Sequence, residues 1–179
     1  MKEIKIGIVG FGHVGHCVFN RIPVRAKGPI KYVRIYDKDP IARMHTKEEI
    51  NECNYVFICV PTPLDEKTGL LDTSIVDKVL NWCTVKNICI KSTVPVGYTK
   101  QANDKYVLLD RDFKVTSYRN IVFSPEYYGE TPNHPYGNDG GDWLILGGLP
   151  EATKIFADLM QEWYPNTTKI HCTDSTTEA

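Results

Sequence analysis

Apolar positions along the chain fall into short, nearly continuous blocks separated by helical or turn-rich stretches. Ile4–Val9, Tyr32–Tyr36, Tyr55–Val60, Ile88–Lys91, Ile121–Phe123, Trp143–Leu146 and Lys169–His171 read as strands. They are rich in Val, Ile, Tyr and Phe and have breakers on both sides. The run Val56, Phe57, Ile58, Cys59, Val60 has no polar member. A strand covered on both faces looks like that, which is the mark of a parallel sheet. Between the blocks, His13–Arg21, Lys47–Cys53, Thr73–Thr84, Gly97–Lys105 and Pro150–Tyr164 read as helices. The last has Pro near its start and a stripe of Ile155, Phe156, Leu159, Met160 and Trp163. Strand–helix alternation of this kind predicts a doubly wound α/β domain with a mostly parallel sheet. Tyr128–Asp142 breaks the pattern with its prolines and glycines and reads as a long loop, a class that is more often functional than not.

Composition narrows the field. A chain of 179 residues can bury roughly 70% of its unfolded surface, so one self-sufficient domain is expected. The apolar share of 42%, charged share of 24% and formal net charge of -1 exclude a disordered chain and speak against nucleic-acid or membrane-surface partners, which demand a basic excess. No apolar run approaches a membrane span. Cys17, Cys53, Cys59, Cys83, Cys89 and Cys172 form no CxxC and no zinc spacing with histidine, so structural, reduced thiols in a cytoplasmic protein are expected, and no metal site.

The chemistry begins after the first strand. Gly10-Phe11-Gly12-His13-Val14-Gly15 is a G-x-G-x-x-G that follows a strand and opens a helix. The second strand ends in Tyr36-Asp37, an acid about 20 residues on. In such a Rossmann-type unit the glycines allow a tight turn, close approach of a pyrophosphate, and close helix packing, while the helix N-terminus faces the anion. Asp37 would take the adenosine ribose hydroxyls and repel a 2′-phosphate, which favours NAD over NADP; Lys38 beside it weakens that preference slightly.

Four further segments follow in order: Cys59-Val60-Pro61-Thr62-Pro63, Lys91-Ser92-Thr93-Val94-Pro95-Val96-Gly97, Ser124-Pro125-Glu126-Tyr127-Tyr128-Gly129-Glu130 and Leu144-Ile145-Leu146-Gly147-Gly148. With the glycine fingerprint, they make the chain resemble the N-terminal NAD-binding half of the UDP-glucose/GDP-mannose dehydrogenase family. The resemblance implies NAD-dependent oxidation of a nucleotide-sugar C6 hydroxyl, on UDP-glucose or a similar substrate, through a stage covalent on cysteine. It implies that Val60, Pro61, Thr62 and Pro63 line the nicotinamide side and that Ser92 contacts the cofactor. It implies that Thr93 holds the reacting water or hydroxyl, that Glu126 is the general-base candidate, and that Glu130 lies near nicotinamide and substrate. Ser124 stands where the family usually has Asn, and Trp143 where it has Arg.

The family's covalent cysteine has no counterpart in the sequence, so the substrate and catalytic-cysteine domain is expected outside this chain. The isolated chain is then expected to be poorly active or inactive, and its expected partners are a second copy in a homodimer or the missing C-terminal domain. Two other readings stay open: a stand-alone NAD-binding sensor or interaction module, and a β-hydroxy-acid type dehydrogenase. The STVPVG and PE-x-x-x-E elements argue against the second.

Overall fold

The computed structural model describes residues 3–24, 28–109, 115–126, 143–161, 163 and 169–173. Its strands are β1 (Ile4–Val9), β2 (Ile30–Tyr36), β3 (Tyr55–Ile58), β4 (Asn87–Ile90), β5 (Val107–Leu109), β6 (Val115–Tyr118), β7 (Asn120–Phe123), β8 (Trp143–Gly148) and β9 (Lys169–Thr173). Its helices are α1 (His13–Arg21), α2 (Lys47–Asn51), α3 (Ser74–Trp82), α4 (Tyr98–Lys105) and α5 (Pro150–Met160). Seven strands form one sheet in the order β2-β1-β3-β4-β7-β8-β9. All neighbours are parallel except β7 and β8, which run antiparallel. This is the doubly wound, mostly parallel arrangement that the alternation predicts.

The continuous apolar strands have the expected cause. Val56 and Ile58 enter one core with Ile50, Val79, Leu80 and Ala102, from α2, α3 and α4. Phe57 and Cys59 enter the other with Val18 from α1 and Phe156 and Met160 from α5. Each face of the sheet is therefore covered, and period-2 alternation serves two cores at once. Phe57 meets Phe156 edge-on at 6.0 Å and Trp163 at 5.1 Å. The stripe on the fifth helix is in place, although Ile155 is only half-buried and Trp163 lies past the helix end.

Strand β5 pairs with β6 in a small antiparallel sheet of its own, which the apolar pattern does not predict. Val115–Tyr118 reads Val-Thr-Ser-Tyr. A pair that stands apart from the main sheet needs no unbroken apolar run. α2 is shorter than Lys47–Cys53 and is set by a capping box between Thr46 and Glu49. Among the described residues, no helix is long and apolar enough to cross a membrane. The chain winds from β1 out to β2 and returns to β3 on the other side of β1. The crevice beyond the C-terminal ends of β1 and β3 is therefore the topological switch point, where open α/β sheets bind ligands.

Candidate functional site

The glycine loop sits in that crevice, and backbone contact shapes it. Gly10 has φ +90°, a left-handed conformation, and a Cβ there would stand 2.5 Å from the Cys59 carbonyl oxygen. A Cβ on Gly15 would stand 2.2 Å from the Gly10 carbonyl oxygen. These two glycines thus weld β1, the end of β3 and α1 together. Gly12 differs, because a Cβ there would meet nothing within 4 Å. Gly12 is the N-cap of α1 and lends the helix no side-chain cap. Open space above an uncapped helix N-terminus suits an anion that accepts from backbone N–H groups.

Asp37 closes the loop from the β2 side. Its Oδ2 accepts from the Phe11 N–H at 2.7 Å and its Oδ1 from the Asp39 N–H at 2.9 Å. Each carboxylate oxygen keeps a further lone pair, so ribose hydroxyls can still donate to it. Lys38 is exposed. Arg43 donates to the Asp37 and Lys38 carbonyls at 2.9 Å and lies 5.4 Å from the Tyr36 ring centroid. Phe11 stacks on His16 at 3.9 Å, and His13 is exposed with its Nε2 3.8 Å from Cys17 Sγ. Val14 is half-buried against the core below. An open cradle, donors facing it and a carboxylate at its edge are what a dinucleotide requires, so these residues fit NAD.

The next two loops are tied to each other. Ser92 is buried and donates its hydroxyl to the Val60 carbonyl at 2.7 Å. Its backbone N–H and that of Lys91 reach the Ile58 carbonyl. Val60 and Thr62 are half-buried, and Pro61, Pro63 and Thr93 are exposed at the same end of the sheet. The Ser92 hydroxyl is therefore engaged in joining β3 to β4, while Thr93 stands open beside it.

Glu126 belongs to a buried charge cluster. Lys91 Nζ lies 2.5 Å from Glu126 Oε1, and Arg21 NH1 lies 3.5 Å from Oε2. The Glu126 side chain is only 7% exposed and that of Lys91 1%. Lys91 also donates to the hydroxyl of Ser124, which is fully buried. Both Glu126 oxygens are thus in contact with cations. Cys59 and Cys89 lie in the apolar core below. Burial pushes the Cys89 thiol up to about 12 and that of Cys59 well above its ordinary value, with Lys91 opposing and Glu126 adding to the effect. Cys17 is also raised, by burial first and Glu126 second. None of the three is set up as a thiolate nucleophile. Cys53 and Cys83 are buried as well, whereas Cys172 is exposed on β9.

Glu130 and the segment Thr131–Gly141 lie outside the described residues. The structure brings together the glycine loop, Asp37, Val60–Pro63, Ser92, Thr93 and Glu126 at one end of the sheet. Sequence reasoning singled out neither Lys91 nor Arg21 as a site residue. Lys91 carried a signal: a cation placed directly after the apolar strand Asn87–Ile90, where the next position is still interior. Arg21 carried none. The cavity between α3 and α4, about 310 Å³ and lined by Thr73, Asp77, Val96, Tyr98 and Lys105 among others, includes no residue of the glycine loop.

Comparison with known proteins gives the arrangement its family. Residues 20–167 match the model of the UDP-glucose/GDP-mannose dehydrogenase family, NAD binding domain. A UDP-glucose 6-dehydrogenase of Campylobacter jejuni is 33% identical over 143 residues, covering 74% of this chain and 34% of that protein. A UDP-glucose 6-dehydrogenase of Streptococcus pneumoniae is 28% identical over 149 residues, covering 78% and 35%. The chain therefore spans about a third of the length of the curated relatives it matches. The UDP-D-ManNAc dehydrogenase structure from Pyrococcus horikoshii superposes with a TM-score of 0.74 at 16% identity, over 97% of this chain and 48% of that one. The glycine loop lies before the matched segment, so the cradle and the family match are separate observations with one meaning. The chain belongs to the UDP-glucose/GDP-mannose dehydrogenase family and carries its NAD-binding domain.

Proposed function

We propose that this chain is the cofactor half of a nucleotide-sugar 6-dehydrogenase of the UDP-glucose type. The observation that carries the reading is the glycine cradle: open space at Gly12, an uncapped α1 and the Asp37 carboxylate at its edge. Gly10 to Gly15 with Phe11, His13 and Val14 would hold the pyrophosphate side. Asp37, flanked by Lys38, would take the ribose. Val60, Pro61, Thr62, Pro63 and Ser92 would border the nicotinamide side, with Glu130 beside it. When bound, NAD supplies the hydride acceptor.

This chain's own residues supply position. Thr93, exposed next to the buried Ser92, offers a hydroxyl to a water or to the sugar C6 oxygen. Glu126 can take a proton only by loosening its contact with Arg21 or Lys91, so its part in proton transfer depends on that cluster. A domain outside residues 1–179 would bring the covalent cysteine and most of the sugar-nucleotide contacts. The proposed compartment is the cytoplasm, where four buried thiols stay reduced.

Calorimetry and turnover test the reading together. NAD is expected to bind and NADP to bind at least tenfold more weakly. UDP-glucose with NAD is expected to yield NADH only when the remaining domain is present. Robust NADH formation by residues 1–179 alone would show that the division of labour is wrong. Failure to bind any dinucleotide would refute the cradle assignment. NAD binding with no response to any nucleotide sugar in the longer protein would leave the sensor reading in possession.

A further inference from the structure

We propose that Lys91 is a positioning residue that acts through Glu126 and Ser124, a role that rests on the dehydrogenase reading above. The argument starts from the backbone. β4 and β7 pair from Asn87–Asn120 to Ile90–Phe123, and the Ser124 N–H adds one more bond to the Ile90 carbonyl at 2.9 Å. Among the described residues, no backbone bond continues the β4–β7 ladder past Ser124. Past that point, side-chain contacts tie the chain to β4. Lys91 does this, with its Nζ reaching both Ser124 Oγ at 3.0 Å and Glu126 Oε1 at 2.5 Å.

A lysine this buried is expensive, and hydrophobic residues of similar volume often stabilise a fold as well or better. Its energetic worth to the fold is therefore a poor reason for its presence. Its geometry is a better one. Lys91 is two residues before Thr93, so one side chain ties the loop that carries Thr93 to the turn that carries Glu126. Arg21, from α1, holds the other Glu126 oxygen at 3.5 Å and is more exposed, at 16%. Without the ammonium, Glu126 would keep only this longer, wetter contact. The carboxylate would then be held from the Arg21 side alone.

The test compares Lys91→Met, Lys91→Arg, Glu126→Gln and the double variant Lys91→Met/Glu126→Gln in the full-length protein. Lys91→Met is expected to lower kcat at least tenfold, with the Kd for NAD changed less than threefold. Lys91→Arg should recover part of that loss. Hydrogen exchange of the Ser124 amide should rise at least tenfold in Lys91→Met, while the Ile121–Phe123 amides keep their rates. If Lys91→Met does not fold, the double variant removes both charges together. It should fold, bind NAD and show the kcat loss of Glu126→Gln alone. Wild-type kcat in Lys91→Met, or wild-type exchange at Ser124, overturns the proposal. A full-length wild type that binds NAD but turns over no nucleotide sugar overturns the functional reading instead, and the exchange measurement then decides Lys91 without it.

Discussion

The two ends of the parallel strands β1, β3, β4 and β7 are finished in different chemistry. At the N-terminal ends, neutral amides lock the strands together. Asn54 Oδ1 accepts from the Lys5 N–H at 2.8 Å, Asn87 donates to the Asn54 carbonyl at 3.0 Å, and Asn120 donates to Asn87 Oδ1 at 2.7 Å. Four strands are thereby linked, and these groups spend their donors and acceptors on one another. The buried Arg119 sits there too, donating to the Leu80 carbonyl and lying over the Tyr106 ring. At the C-terminal ends, the junctions are backbone packed against backbone at Gly10 and Gly15, plus the charged groups Asp37, Lys91 and Glu126. Gly12 and Thr93 are left open between them. One end is closed by groups that satisfy each other. The other is held rigid while donors and hydroxyls still face outward, which is what a ligand needs.

The largest effect expected from breaking this contrast is at Gly15. Gly15→Ala drives a methyl to 2.2 Å from the Gly10 carbonyl. It should cost about 3 kcal/mol and abolish NAD binding, both visible in thermal melts with and without NAD. Gly12→Ala is the matched control, because its methyl enters open space. Stability should fall by only about 1 kcal/mol, the cost of Ala in place of Gly at an N-cap, while NAD affinity falls at least tenfold. Equal behaviour of the two variants would refute the distinction between packing glycine and cradle glycine.

At the opposite end, Asn87→Ala leaves the Asn54 carbonyl and the Asn120 amide without their partner. A loss of about 1–3 kcal/mol in denaturant unfolding is expected, with the Kd for NAD unchanged per folded molecule. Asp37→Ala should do the reverse. It frees the Phe11 N–H, costs about 1 kcal/mol, and weakens NAD at least tenfold by calorimetry with the fold retained. A Kd for NAD that moved with Asn87 and stayed put with Asp37 would invert the assignment of the two ends.

Much of the C-terminal end is legible in the sequence. Glycine spacing, an acid at the end of the second strand, and Ser-Thr after a buried strand are local signals with local causes. The Lys91–Glu126–Arg21 cluster was not legible, because it joins residues 21, 91 and 126 through space and each alone looks like an ordinary charge. The asparagine ladder was hidden for the same reason, since a turn and a strand-end amide look alike in sequence. The β5–β6 pair escaped because its second strand, Val-Thr-Ser-Tyr, has no continuous apolar run. Periodicity reads what each segment buries, whereas pairing between distant polar groups depends on a register that periodicity does not carry.

The smallest expected effect concerns the thiols below both ends. Burial raises Cys53 from 9.0 to about 11 and Cys89 to about 12, and raises Cys59 and Cys83 as well. A raised folded-state value means that the native state holds its protons more tightly than the unfolded chain. The stabilisation is then complete below pH 9, where thiols are protonated in both states, and is lost as pH climbs from there towards 11 and 12. Melting temperature should therefore be flat from pH 7 to about 8.5, so far as these groups govern it, and decline above. Cys89→Ala and Cys53→Ala should each flatten part of that decline while lowering stability at neutral pH through the cavity they leave. Thiol labelling at pH 8 gives a second check. Cys172 on its exposed edge strand should react first and Cys17 more slowly, with Cys53, Cys59, Cys83 and Cys89 protected until unfolding. Rapid labelling of Cys59, which packs beneath the charged end, would mean that this end opens far more readily than its buried ion pairs imply.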